Sequence, residues 1–285
     1  YAFLMPGPPV EMKPMFLNEV RPVLEAMQDA AIQSITLRVF GIGESSLEDL
    51  VHPLLDGSNP TAALYAKTGE VHVRVTARAK TAEEAAAMCH EYAKQFYTIL
   101  GGMIYSENGD DLETATVKAL LQKGQSVATA ESCTGGLVSE RITSVPGASG
   151  VFGFGLCSYA NEIKRQVLGV QAETLRQFGA VSSQTAAEMA YGAQRLGGAT
   201  YGVGVTGIAG PDGGTEEKPV GLVYVAVASA AGVAVKQLTV GGRGRKMVRH
   251  HASQHALDMV RRLAAGLPIQ EAQLFGKGEQ AAWKE

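Results

Sequence analysis

The residues of this chain best suited to chemistry lie in a few glycine-rich stretches. The sharpest is Ala130-Glu131-Ser132-Cys133-Thr134-Gly135-Gly136. Its pattern places Ser132 where a buried strand gives way to a helix, and Thr134, Gly135 and Gly136 where backbone amides at a helix start could hold an oxyanion or a phosphate. The stretch is not a Gly-x-Ser-x-Gly elbow, because Ala130 and Thr134 stand at the glycine positions, and no Gly-x-x-x-x-Gly-Lys-Ser/Thr loop occurs anywhere. The plain alternative is that Ser132 or Thr134 caps the helix and the glycines serve close packing.

A nucleophilic serine needs a base. The histidines, His52, His72, His90, His250, His251 and His255, all fall outside the glycine-rich region or on the last helix, so a Ser-His-Asp triad finds no support. His251 and His255 share a helix face at i, i+4, but without an acidic or cysteine partner nearby they read as a solvated surface pair, and no metal site is expected. Lysine can serve as the base when its surroundings lower its pKa toward neutrality. Lys164 is the candidate, on the first turn of a helix that follows the strand Val151 to Tyr159. Tyr159, at that strand's end, could relay a proton or bind substrate. A lone lysine on a helix is otherwise a solvated cation, so the pair depends on the fold bringing Lys164 to Ser132. The second glycine-rich loop, Val205-Thr206-Gly207-Ile208-Ala209-Gly210-Pro211-Asp212-Gly213-Gly214, leaves another strand end, where α/β folds hold ligands, which makes Gly207 and Gly210 candidate substrate contacts. Finally, Arg243-Gly244-Arg245 opens the last helix and reads either as a phosphate or carboxylate clamp or as a surface loop.

The elements that must position these residues follow from periodicity. At 285 residues the chain has room for about two domains of roughly 150 residues. Glycine divides it: 5 of 34 lie in the first hundred residues and 26 between Gly101 and Gly244, so the chemistry is expected in the second part. Residues 10–30 have a helical apolar pattern. Strand, helix, hairpin, helix and strand follow over about residues 31–110, a βαββαβ order that suggests a small α+β domain; its second helix carries the capping box Thr81-x-x-Glu84. Beyond residue 111, strands alternate with helices and are rich in Val and Ala, which predicts an α/β fold with a layered, mixed sheet up to about residue 267 and a tail over 268–285.

Composition narrows the partners. Lys+Arg 25 against Asp+Glu 28 leaves a net charge of −3, with no basic field to hold nucleic acid. Residues 31–110 carry six Lys/Arg against ten Asp/Glu and no Gly-x-x-Gly clamp between helices, so nucleic acid is not an expected partner. The three cysteines, Cys89, Cys133 and Cys157, are widely spaced, and no apolar run suits a bilayer span or a signal peptide, so a reducing, cytoplasmic setting without a membrane partner is expected. Because the chain opens on Tyr1 within what reads as ordered sequence, an upstream part is expected.

Taken in order, Ala130–Gly136, Ser158-Tyr159-x-Asn161-x-x-Lys164, Gly179-Ala-Val-Ser182, Val205–Pro211 and Arg245-x-x-x-Arg249 resemble the CinA-type competence/damage-inducible proteins. The resemblance implies that residues 111–267 form that family's PncC-like C-terminal amidase domain, that residues 31–110 are its KH-like domain, and that residues 1–30 end a molybdopterin-binding-like domain. It further implies hydrolysis of the carboxamide of nicotinamide mononucleotide (NMN) to nicotinate mononucleotide and ammonia, without a cofactor, in a homodimer. By the same resemblance Ser132 is the nucleophile, Lys164 the base, Tyr159 and Thr206 orient the dyad and the substrate, and Arg245 contacts the ribose phosphate. One departure from the family pattern is Arg243-Gly244-Arg245 where Gly-Asp-Arg is usual, which removes an acidic partner of that arginine. Cys133 stands beside Ser132 as a rival nucleophile, with serine favoured because a lysine base suits a hydroxyl. A different class of reading is a non-catalytic binding or scaffold protein of the competence or DNA-damage response.

Overall fold

The computed structural model describes residues 1–27, 30–107, 109–269 and 271–275. The apolar pattern near the start does not produce one helix. Instead α1 (Pro9–Met15) and α2 (Arg21–Ala26) are joined by a π-helical turn over Phe16–Val20, with Pro14 and Pro22 each withholding an N–H from a continuous α-helical ladder.

Alternating apolar residues in β1 (Ala31–Val39) place Leu37 and Val39 on the face that packs against helices. After α3 (Glu44–Val51) come β2 (Thr61–Lys67) and β3 (Glu70–Ala79), a hairpin turning at Thr68-Gly69, then α4 (Ala82–Leu100) and β4 (Ile104–Ser106). All pairings are antiparallel, in the order β2-β3-β1-β4. Leu47 and Val51 of α3 and Ala85, Cys89, Ala93 and Phe96 of α4 close one core against the sheet. Thr81 accepts the Glu84 N–H at 3.2 Å, the cap that the sequence spacing predicts. The βαββαβ order is therefore present.

The second sheet has the order β10-β9-β8-β7-β5-β6 and is mixed, as expected. After α5 (Leu112–Lys123), β5 (Val127–Glu131) runs parallel to both β6 (Phe152–Cys157) and β7 (Tyr201–Gly207), whereas β8 (Leu222–Ser229) and β9 (Gly232–Thr239) are antiparallel. Every residue of β5 is buried, as a central strand covered on both faces must be. Between the strands lie α6 (Leu137–Thr143), α7 (Asn161–Ile163) with a π-helical turn over Lys164–Leu168, α8 (Ala172–Phe178) and α9 (Ser183–Gly197). The chain then forms α10 (Gly244–Ala264) and β10 (Gln273–Phe275), a short edge strand on β9 in the region that the sequence reads as tail.

Helices α5, α6 and α10 share a core with one face of the sheet, and α9 covers the other. On that face a Cβ on Gly202 or Gly204 would fall 2.1–2.2 Å from the Ala190 and Ala186 carbonyls, so α9 can approach β7 this closely only over glycine.

Helix α10 also joins the two sheets' domains. Phe40, just past β1, packs edge-on against His255 (centroids 4.9 Å apart), and Gln254 meets the hairpin tip at Gly69. Asp258 holds both Arg261 (2.6 Å) and Arg262 (2.7 Å), and Arg261 donates to the Gly102 carbonyl at 2.8 Å. His251 and His255 are therefore not a solvated surface pair. Both are largely withdrawn from water at this junction, where burial lowers their pKa, that of His255 to about 4. No helix among the described residues is long and apolar enough to cross a membrane.

Candidate active site

The parallel pairing of β5 with β6 and β7 aligns three strand ends: Glu131 lies opposite Cys157 on one side and Val205 on the other. The residues that follow these strands are therefore forced together, as at the carboxyl ends of parallel strands generally. Ser132 is fixed by its N–H donating to the Val205 carbonyl (2.9 Å), and Ser158 by its N–H donating to the Glu131 carbonyl (2.8 Å).

Lys164 then reaches back across this junction. Its Nζ lies 3.3 Å from Ser132 Oγ and donates to the Ser158 and Tyr159 carbonyls at 2.8 and 3.2 Å. The residue is only 1% exposed, so it is not a solvated cation. Burial is the main cause that lowers its pKa, as a lysine base requires. In the neutral amine the two carbonyls take both N–H groups, which leaves the nitrogen lone pair to accept the Ser132 hydroxyl proton. Ser132 is half-buried in front of this amine, and Gly135, Tyr159 and Arg245 are exposed beside it.

The turn after Ser132 is not capped by Ser132 or Thr134. Glu131 does this: its carboxylate accepts the Val138 N–H (3.0 Å), the Ser139 N–H (2.9 Å) and the Ser139 hydroxyl (2.6 Å). The fully buried Glu131 thus satisfies the first turn of α6 and leaves the Ser132 hydroxyl uncommitted to it. Gly135 and Gly136 have φ of +58° and +91°, which a side chain would resist. The Gly135 N–H is spent on the Ser132 carbonyl (3.1 Å), so it is not a free oxyanion donor. Among the described residues the Thr134 and Gly136 N–H groups donate to no protein acceptor. Thr134 Oγ1 is likewise buried without a partner, and the Thr134 carbonyl is gripped by Arg249 from α10 (2.6 and 3.2 Å).

Cys133 is buried, and burial pushes its thiol up to about 12. The rival nucleophile is therefore held as a neutral thiol at physiological pH, and thiolate is the reactive form.

The second glycine-rich loop arrives at the same place but with different duties. Thr206 is 1% exposed and donates to the Ala180 carbonyl (2.7 Å), anchoring the Gly179–Ser182 stretch instead of offering a free hydroxyl. Lys218 holds the same stretch by donating to the Phe178 and Val181 carbonyls (2.6 and 2.8 Å). Gly207 sits within β7, where a Cβ would come 2.7 Å from the Leu222 carbonyl oxygen; the close approach that requires glycine there is to β8, not to a ligand. Gly210 presents its carbonyl to Arg245 Nη1 (3.0 Å), and Arg245 Nη2 donates to the Tyr159 hydroxyl (3.3 Å). Arg245 therefore ties the second glycine-rich loop to the segment that carries Lys164.

Glu131 and Arg249 stand in the motif stretches, but the sequence by itself gives neither a role. An acid closing the otherwise uncharged strand Val127–Glu131 is the signal that could have singled out the first. No group of three or more His, Cys, Asp or Glu among the described residues could hold a metal.

Residues 109–264 match the CinA C-terminal domain family, and residues 34–106 match the damage-inducible protein CinA KH domain family. The chain is 50% identical over 272 residues to the CinA-like protein of Desulfovibrio desulfuricans, covering 95% of this chain and 64% of that protein. It is 47% identical over 267 residues to the CinA-like protein of Kosmotoga olearia, covering 93% and 64%. It thus spans about 64% of the length of these curated relatives. The crystal structure of the competence/damage inducible protein CihA from Agrobacterium tumefaciens matches with a TM-score of 0.52 at 44% identity, over 53% of this chain and 93% of that one. Since the first match takes in more than half of the sequence, including the loops that bring Ser132, Lys164 and Arg245 together, the chain belongs to the CinA family.

Proposed function

We propose that the second domain is a nicotinamide-nucleotide amidase that hydrolyses the carboxamide of NMN with Ser132 as nucleophile and Lys164 as base. The observation that carries this reading is the buried Lys164 amine 3.3 Å from Ser132 Oγ. Ser132 Oγ attacks the carboxamide carbon as its proton passes to Lys164. The resulting oxyanion takes the free N–H groups of Thr134 and Gly136. Collapse of the tetrahedral intermediate breaks the C–N bond as the departing nitrogen takes the proton back from Lys164, so ammonia leaves and an acyl-serine remains. Lys164 then draws a proton from water, hydroxide attacks the ester, and nicotinate mononucleotide departs as Ser132 recovers its hydrogen. The exposed Tyr159 ring offers a face to the pyridinium cation. Arg245, at the mouth, offers its charge to the ribose phosphate.

The test is ammonia release from NMN by the purified chain, with and without a chelator, beside the Ser132→Ala variant. Release that Ser132→Ala abolishes, with circular dichroism unchanged, supports the assignment; equal turnover by both proteins rejects it.

A further inference from the structure

Between the two domains, beside α10, lies a cleft of about 370 Å³ that the amidase reading does not use. Its volume is that of a small-molecule pocket. Phe40, Ile42 and Val71 of the first domain give it an apolar floor, while Lys67 enters from that domain and Arg243 and His251 from the second. Among the described residues the exposed side chains of Arg243 and Lys67 make neither a hydrogen bond nor an ion pair, and His251 Nε2 is buried without a partner. A buried imidazole nitrogen with no partner costs stability unless a ligand or water answers it.

Two carboxylates also line the cleft, and they differ. Glu70 is already engaged by His72 Nε2 (2.6 Å) and by the Tyr105 hydroxyl (2.5 Å), with Arg38 at 3.9 Å. Glu44 is exposed at the rim. Two exposed cations and an unanswered imidazole therefore share the lining of this cleft with one free carboxylate and the apolar Phe40, Ile42 and Val71.

We infer that this interdomain cleft binds a small phosphate monoester, its phosphate shared by Arg243, Lys67 and His251 and its organic part lying on Phe40 and Ile42. A tetrahedral, multiply charged anion offers enough oxygens for three donors that line one cleft from two domains, and guanidinium favours phosphate geometry. The inference is independent of the amidase reading, because binding can be followed without turnover.

The test uses the full chain with ¹³C,¹⁵N-labelled histidine, titrated with ribose 5-phosphate and, separately, with chloride at matched ionic strength. The His251 ring signals are assigned by their loss in His251→Gln. The expected result is a saturable shift of the His251 signals with ribose 5-phosphate only, with affinity falling at least tenfold in Arg243→Gln and in Lys67→Gln and unchanged in Arg245→Ala. His251 signals that stay still, that move equally with chloride, or that saturate undiminished in Arg243→Gln overturn the proposal.

Discussion

Replacing Lys164 by methionine tests the reasoning at its most exposed point. The substitution keeps the stem that fills the site and removes only the amine. A lysine with an ordinary pKa of ~10.4 would be unprotonated in about one molecule in 2,500 at pH 7, and each unit of depression raises that fraction about tenfold. Burial behind Ser132 supplies the depression. Loss of the base then costs about 10²- to 10⁴-fold in kcat/KM. That is about 2.7–5.4 kcal/mol at ~1.36 kcal/mol per decade. The assay is ammonia release from NMN across pH 5 to about 10. Wild-type kcat/KM should rise with pH through an inflection below the ordinary lysine range, and Lys164→Met should lack that rise. Stability provides a second reading. Because the folded-state pKa lies below the unfolded value, the unfolded chain binds more protons between the two. The contribution of Lys164 is therefore fully present above ~10.4 and is lost as pH falls toward the folded value. Lys164→Met should lose this slope. A variant with a wild-type rate and the same pH profile would refute Lys164 as the base.

Three further perturbations separate the roles assigned above. Cys133→Ala should keep turnover within about twofold, since the thiol is held neutral and a small cavity is the main cost; a loss like that of Ser132→Ala would make Cys133 the nucleophile. Arg245→Ala should raise KM for NMN about tenfold, the loss of one charge-assisted contact, and leave hydrolysis of the phosphate-free nucleoside little changed; equal losses on both substrates would move the phosphate contact elsewhere. For His255 the folded-state pKa of about 4 lies below the free value, so its contribution to stability is present above pH ~6.5, falls as pH drops and is gone below about 4, with on the order of 3 kcal/mol at stake. Thermal melts of His255→Phe should therefore show a shallower acid loss than the wild type between those values, and parallel curves would count against the buried neutral imidazole.

Much of this molecule could be read from local pattern. The Thr81 cap, the βαββαβ order and the mixed sheet follow from residue periods and turn chemistry that act within a few residues, and each is found in the fold. The broken helix at Phe16–Val20 and the short edge strand β10 were not legible. One depends on how the π turn and Pro14 and Pro22 divide the hydrogen-bond ladder, the other on β9 offering an open edge. The chemical residue types were likewise visible, but their duties were not. Whether Ser132 caps a helix or stays free depends on where the Glu131 carboxylate is buried, and whether Cys133 can act depends on which way a turn faces. His251 and His255 read as surface residues because a sequence does not show that a second domain packs over them.

The sequence by itself determined the elements, the glycine-rich turns between them and the serine, lysine and arginine placed at their ends. Only the tertiary structure decided that Lys164 meets Ser132. That meeting is set by the register of β5 between β6 and β7, a pairing of segments far apart in the chain, and by burial of the amine, which no local pattern encodes.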